Sequence, residues 1–177
     1  MEHLDELAVR VSRNDGEAFR QIVAATSARL VRLAARMLGS LEEAEDVVQE
    51  SYVKAYRALV SGAFDHRSSV STWLYRIVSN AAVDALRGRA RRPVATDTLH
   101  ESAWDGAASA EARLALVELD DWLDGLPPEQ RAALVLKSIE GHSSSEVAEI
   151  LGITEGAVEQ KLVRARAALR KKRQDDD

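Results

Sequence analysis

The chain has no cysteine, which excludes disulfides and thiolate metal sites and leaves nothing that requires an oxidising compartment. Aromatic residues are few, 5% against 46% hydrophobic residues in all, so an interior of helices built on Ala, Leu and Val is expected. No apolar run approaches the roughly 18 residues of a membrane span, and the start MEHLDELAVR is too charged for a secretory signal. The cytoplasm is therefore the expected location, with no insertion into a membrane. His3, His66, His100 and His142 are scattered, with neither HExxH nor any other ligand spacing, and there is no Gly-rich phosphate loop. No metal, cofactor or catalytic constellation is indicated, and an enzymatic reading has no positive support.

Positive charge is also in the minority. The net charge of -5 argues at first against a nucleic-acid partner, but its distribution reverses that argument. Basic residues cluster from Arg87 to Arg92 and from Lys161 to Arg173, while acidic ones gather from Glu42 to Glu50 and from Asp97 to Glu129. Separate faces for separate partners follow.

The most informative stretch is GHSSSEVAEILGITEGAVEQKLVRARAALRKKR, from Gly141 to Arg173. Ser143 with Glu146 forms a capping box, and Val147, Ala148, Ile150 and Leu151 give the helix that follows an apolar side. Gly152 supplies the left-handed residue of a tight turn, Ile153 plugs the space between helices, and Thr154 caps the next one. There Val158, Leu162, Ala165 and Leu169 share one face, and Gly156, Gln160, Val163 and Ala167 point the opposite way, flanked by Glu159 and Arg164. A helix-turn-helix lays such a face in a DNA major groove, and the basic run from Lys161 suits phosphate contact. The blander reading is an αα-hairpin with a solvated basic end.

In the N-terminal half, Asn14 or Asp15 caps a helix carrying Phe19, Ile22, Val23, Leu30, Leu33 and Met37, and Gly39 stops it. Ser40 and Glu43 make a second capping box. The helix they open turns Ala44, Val47, Val48, Ser51, Ala55 and Leu59 inward and shows Asp46, Gln49 and Glu50 outward. That acidic side is either a solvated face or a partner surface. The polar loop SGAFDHRSSVS precedes TWLYRIVSNAAVDALRGRARR, a helix with Trp73, Ile77 and Ala81 on one stripe and Tyr75, Arg76, Asn80, Asp84 and Arg87 over the rest. Aromatic, amide and guanidinium groups beside a polar loop suit unstacked bases, although Trp73 at this spacing also reads as core. From Pro93 the chain loses periodicity, and Asp97, Glu101 and Asp105 make a linker acidic. The expected architecture is all-α, with helical domains over 1–92 and 112–177 joined by a linker over 93–111.

These motifs in order resemble the extracytoplasmic function (ECF) sigma factors of bacterial RNA polymerase. AEDVVQESYVKAY is similar to their region 2.2, STWLYRIVSNAAVDALR to regions 2.3 and 2.4, and LPPEQRAALVLKSIEGHSSSEVAEILGITEGAVEQKLVRARAAL to region 4. The resemblance implies that Asp46, Gln49 and Glu50 dock on the clamp helices of the polymerase β′ subunit, and that the C-terminal domain meets the β flap. It implies minus-10 contacts for Phe64, His66, Arg67, Ser68 and Ser69 in the loop, and for Arg76, Asn80, Asp84 and Arg87 on the following helix. It implies minus-35 contacts for Thr154, Gly156, Glu159, Gln160, Lys161, Val163 and Arg164. An anti-sigma factor is implied as a further partner. The chain departs from many relatives at Glu159, Gln160 and Lys161, where a basic residue, Ser and Arg are common, and at His142 and Ser144, where Leu and an aromatic are common.

Two other readings use the same residues. A helix-turn-helix regulator would bind a ligand or a second copy through its N-terminal half, but it has no need of an acidic docking helix joined to a base-capturing loop. An adaptor that borrows the sigma shape without binding DNA leaves the basic run without a purpose.

Overall fold

The computed structural model describes residues 2–91 and 118–176, and every regular element among them is helical. The N-terminal half holds α1 (Glu2–Val11), α2 (Gly16–Leu38), α3 (Leu41–Val60) and α4 (Val70–Arg91). In the C-terminal half, residues 118–123 are helical (α5), followed by α6 (Pro128–Leu134), α7 (Ser144–Leu151) and α8 (Glu155–Asp176). The linker expected over 93–111 lies outside the described residues.

The termini of α2 follow from sequence chemistry. Asp15 accepts the amide hydrogen bond of Ala18 at 3.1 Å, and the guanidinium of Arg10 on α1 closes on the same carboxylate. Those bonds hold the Asp15 carboxyl below its ordinary range, with the Ala18 amide the largest cause and Arg10 next. Gly39 ends the helix at φ 70, and a Cβ there would run into the Asp120 carboxylate brought by α5. Asp120 also pairs with the buried Arg131. The second capping box is only half formed: Ser40 accepts from the Glu43 amide at 3.3 Å, whereas the Glu43 carboxylate turns to Arg89 of α4.

The first core is Ile22, Leu30, Leu33, Met37 and Leu38 of α2 against Ala44, Val48, Ala55 and Leu59 of α3 and Leu74 and Val78 of α4. Helix α1, which carries no signal beyond its charge in the sequence reading, adds Leu7, Ala8 and Val11 to it. One buried polar bridge crosses this core, from the Tyr52 hydroxyl to that of Thr26 at 2.6 Å. Burial, opposed by that bond, raises the Tyr52 pKa.

Helix α4 corrects the expected register. Its buried side is Val70, Leu74, Tyr75, Val78, Ser79, Ala82 and Val83, while Trp73, Ile77 and Ala81 sit half-buried on the flank. Tyr75, read as an outward residue, is 6% exposed. The cause is tertiary: α4 packs on α2 and α3 and also on α6 and α7, so it has no single apolar stripe.

In the C-terminal half, Pro128 stands at the start of α6 as its fixed φ favours. A π-helical stretch, Val135–Ile139, follows α6, and the Glu140 amide reaches back to the Val135 carbonyl at 2.9 Å. This wider turn presents Glu140 to Arg36 of α2 and the His142 ring to Tyr75 of α4, centroids 5.1 Å apart. Helix α8 runs on to Asp176.

Candidate polymerase and nucleic-acid interfaces

The outward side of α3 carries Asp46, Gln49 and Glu50, all exposed. Along the same side follow Val53, 50% exposed, then Tyr56 and Val60, so an acidic head runs into an apolar stripe. The sequence reading missed these three; the signal available was that none of them fits the inward positions of the helix.

The loop after α3 is built around Phe64. Its ring is buried, with centroids 4.5 Å from both His66 and Trp73, so Phe64 supports the loop from beneath and is no free stacking surface. His66 adopts φ 55, an uncommon left-handed conformation outside glycine, and its ring is exposed above Phe64. Arg67 extends into solvent and pairs with Asp65 at 3.3 Å. Ser68 is half-buried, and Ser69 caps α4 by accepting from the Thr72 amide at 3.1 Å. Ser69 is thus committed to the helix start, where Asp5 of α1 also accepts the Val70 amide at 2.7 Å.

Further along α4, Asn80, Asp84 and Arg87 are exposed on one side. They line a cleft of about 570 Å³ whose other wall is Glu129, Leu151, Ile153 and Lys161. Arg87 bonds Glu129 at 2.9 Å and Asp84 at 3.0 Å, and these contacts raise its pKa, Glu129 being the main cause. Arg76 donates to the backbone carbonyl of Glu149 at 3.1 Å.

The turn of the helix-turn-helix forms as expected. Ser143 and Glu146 complete both bonds of the capping box, and the Ser143 amide holds the Glu146 carboxyl below its ordinary range. Gly152 takes φ 67, and Thr154 accepts from the Ala157 amide at 3.2 Å. Val158, Leu162 and Ala165 are buried; Gly156, Glu159, Gln160, Val163 and Arg164 are exposed, Val163 at 61%. Lys161 leaves this group, because its side chain lines the cleft against α4. Ser144 donates to Glu159 at 2.5 Å, tying the first turn of α7 to the exposed face of α8.

Sigma-70 region 2 matches residues 22–92, and Sigma-70, region 4 matches residues 116–169. The ECF RNA polymerase sigma factor SigW of Bacillus subtilis is 35% identical, covering 94% of this chain and 94% of its own length. The chain belongs to the ECF sigma factors. Among solved structures, CnrH in complex with the cytosolic domain of CnrY is similar at 30% identity and a TM-score of 0.72, over 98% of this chain and 99% of that one. The sigma factor RpoE of Bartonella quintana, solved with the anti-sigma factor NepR, shares the fold at 24% identity and a TM-score of 0.60, over 86% of this chain and 94% of that one. This sigma factor is accordingly an initiation factor of RNA polymerase, and the cleft between α4 and α8 lies between its region 2 and region 4. No helix among the described residues is long and apolar enough to cross a membrane.

Proposed function

We propose that this sigma factor docks on core RNA polymerase through Asp46, Gln49 and Glu50, extended by the Val53 and Tyr56 stripe, with the β′ clamp helices as the receiving surface. His66, Arg67, Asn80 and Arg87 then hold the displaced strand of the minus-10 element. Glu159, Gln160, Val163 and Arg164 read the minus-35 element in the major groove, and Lys161 turns to phosphate once the cleft opens. The C-terminal domain meets the β flap, and the chain divides into functional units over 1–92 and 112–177 with a tether over 93–111.

The observation that carries this reading is the segregation of exposed groups: an acidic and apolar side on α3, and polar and basic sides on α4 and α8. Most apolar residues of these helices lie inward, while Val53, Tyr56 and Val60 of α3 and Val163 of α8 stay exposed, which suits these sides to partners. Strand opening follows because bases held by stacking and hydrogen bonds offset the few kcal/mol lost on unstacking. The chain performs no catalysis; the polymerase supplies the chemistry, in the cytoplasm. An anti-sigma factor holds this sigma factor inactive, a reading that the likeness to CnrH, solved with a protein partner, supports.

Run-off transcription with core enzyme on fragments of the cell's own genome is the test. Specific transcripts that require the added chain are expected. Their absence on every fragment would favour a sigma-shaped adaptor.

A further inference from the structure

A second cavity, of about 310 Å³, lies where α1, α2 and α4 meet. Leu4, Ala25, Leu30 and Leu74 give it apolar walls, and Arg29, Ser71 and Tyr75 bring polar groups that make up at least as much of its lining. Thr26 also lines it, but its hydroxyl is committed to the Ile22 carbonyl at 2.7 Å and to Tyr52. The position is fixed by the Asp5 bond to the Val70 amide, which anchors α1 under the start of α4 and sets Leu4 beside the cavity. Ser71 joins the cavity to the loop that carries His66 and Arg67.

Arg29 begins a row. Arg29, Arg32 and Arg36 follow at steps of three and four, which puts three guanidinium groups on one side of α2. Arg29 and Arg32 are exposed and act electrostatically on the Tyr75 hydroxyl; Arg36 is half-buried and holds the Glu140 carboxylate.

We infer that this cavity is a second nucleotide pocket for the strand displaced at the minus-10 element: an unpaired base enters between Leu4 and Leu74, and its neighbouring phosphates run along Arg29, Arg32 and Arg36. Apolar walls accept the face of any base, and a guanidinium fork matches a phosphate. The volume is at the lower end of ligand pockets, roughly 300–1,000 Å³, which suits one flat heterocycle and excludes a duplex. The Glu140 carboxylate on Arg36 occupies a phosphate position, so strand entry displaces it and loosens region 4 from region 2. This inference rests on the reading of the Phe64 loop and α4 as the strand-holding surface.

The test uses the full chain with methyl-labelled Leu and Ala, titrated with a mixed-sequence single-stranded DNA decamer and, separately, with its duplex. Methyl signals of Leu4, Ala25 and Leu74 are expected to shift with the single strand and not with the duplex. Arg29→Gln, and Ala25→Trp as a plug, should each weaken single-strand binding about 10-fold while leaving the fold intact. Shifts confined to the Phe64 loop and the outward side of α4, with both variants binding normally, overturn the pocket but leave the strand-holding surface standing. No shift at either place overturns both. An equal response to the duplex reduces the row to non-specific charge and overturns the pocket.

Discussion

The Arg87 guanidinium of region 2 donates to the Glu129 carboxylate of region 4 at 2.9 Å across the cleft that also holds Asn80 and Lys161. Arg87 and Asn80, proposed for the minus-10 element, thus face Lys161, proposed for phosphate of the minus-35 element, and Arg87 is engaged while the pair stands. Release of Arg87 and Lys161 for the contacts proposed above should therefore accompany a parting of the two domains.

Exposed ion pairs contribute little singly, so Glu129→Gln alone should open the chain only slightly. Glu129→Gln with Glu140→Gln removes the region 4 partners of Arg87 and Arg36 together, leaving Arg87 only Asp84 of its own helix. The double variant should show a larger radius of gyration in small-angle scattering, with unchanged helicity. An unaltered radius would mean that these pairs do not hold the closed form.

Replacing Asp46 and Glu50 by Lys should abolish co-purification with core polymerase. Both side chains are exposed and away from the apolar side of α3, so stability should change by no more than about 0.5 kcal/mol. Val53→Ser should weaken the same interaction more mildly. Retention of full binding by the Lys variant would remove α3 as the docking helix.

With one oxygen held by Ser144, Glu159 has a fixed carboxylate with its second oxygen free to accept from a cytosine amino group. Glu159→Ala should then lose about 1–3 kcal/mol of discrimination at one base of the upstream element. Ser144→Ala should blur the same position, and Ser144→Thr should restore it. The measurement is selection from a randomised upstream library by reconstituted holoenzyme. A uniform gain in affinity for Glu159→Ala would instead mark simple repulsion from phosphate.

The capping box gives a pH dependence. Because the Ser143 amide lowers the Glu146 pKa below its ordinary 4.5, the folded pKa is depressed and the bond stabilises above that value. Its contribution should be lost as pH falls through the depressed pKa. Glu146→Gln keeps a capping group without a charge, so its melting temperature should fall less steeply than the parent's below about pH 4.5.

Local chemistry was legible in the sequence wherever it acts over a few residues. Gly39, Ser143, Gly152 and Thr154 each satisfy or end a helix through neighbours three or four positions away, so spacing alone located those boundaries; it left the cap of α2 between Asn14 and Asp15, and the structure selects Asp15. The inward sides of α3 and α8 were legible for the same reason, since each packs mainly along one stripe. Helix α4 was not, because it touches region 2 on one side and region 4 on the other, and two partners erase a single period. Phe64 was read as a reader of bases and is a support, since composition does not reveal which ring lies beneath another. Lys161 likewise left the DNA-facing group only through the placement of α4. The cleft, the Ser144 bond to Glu159 and the pocket under α4 join residues far apart in the chain. Such contacts are decided by how helices pack, which is a property of the whole tertiary structure and of no local run of residues.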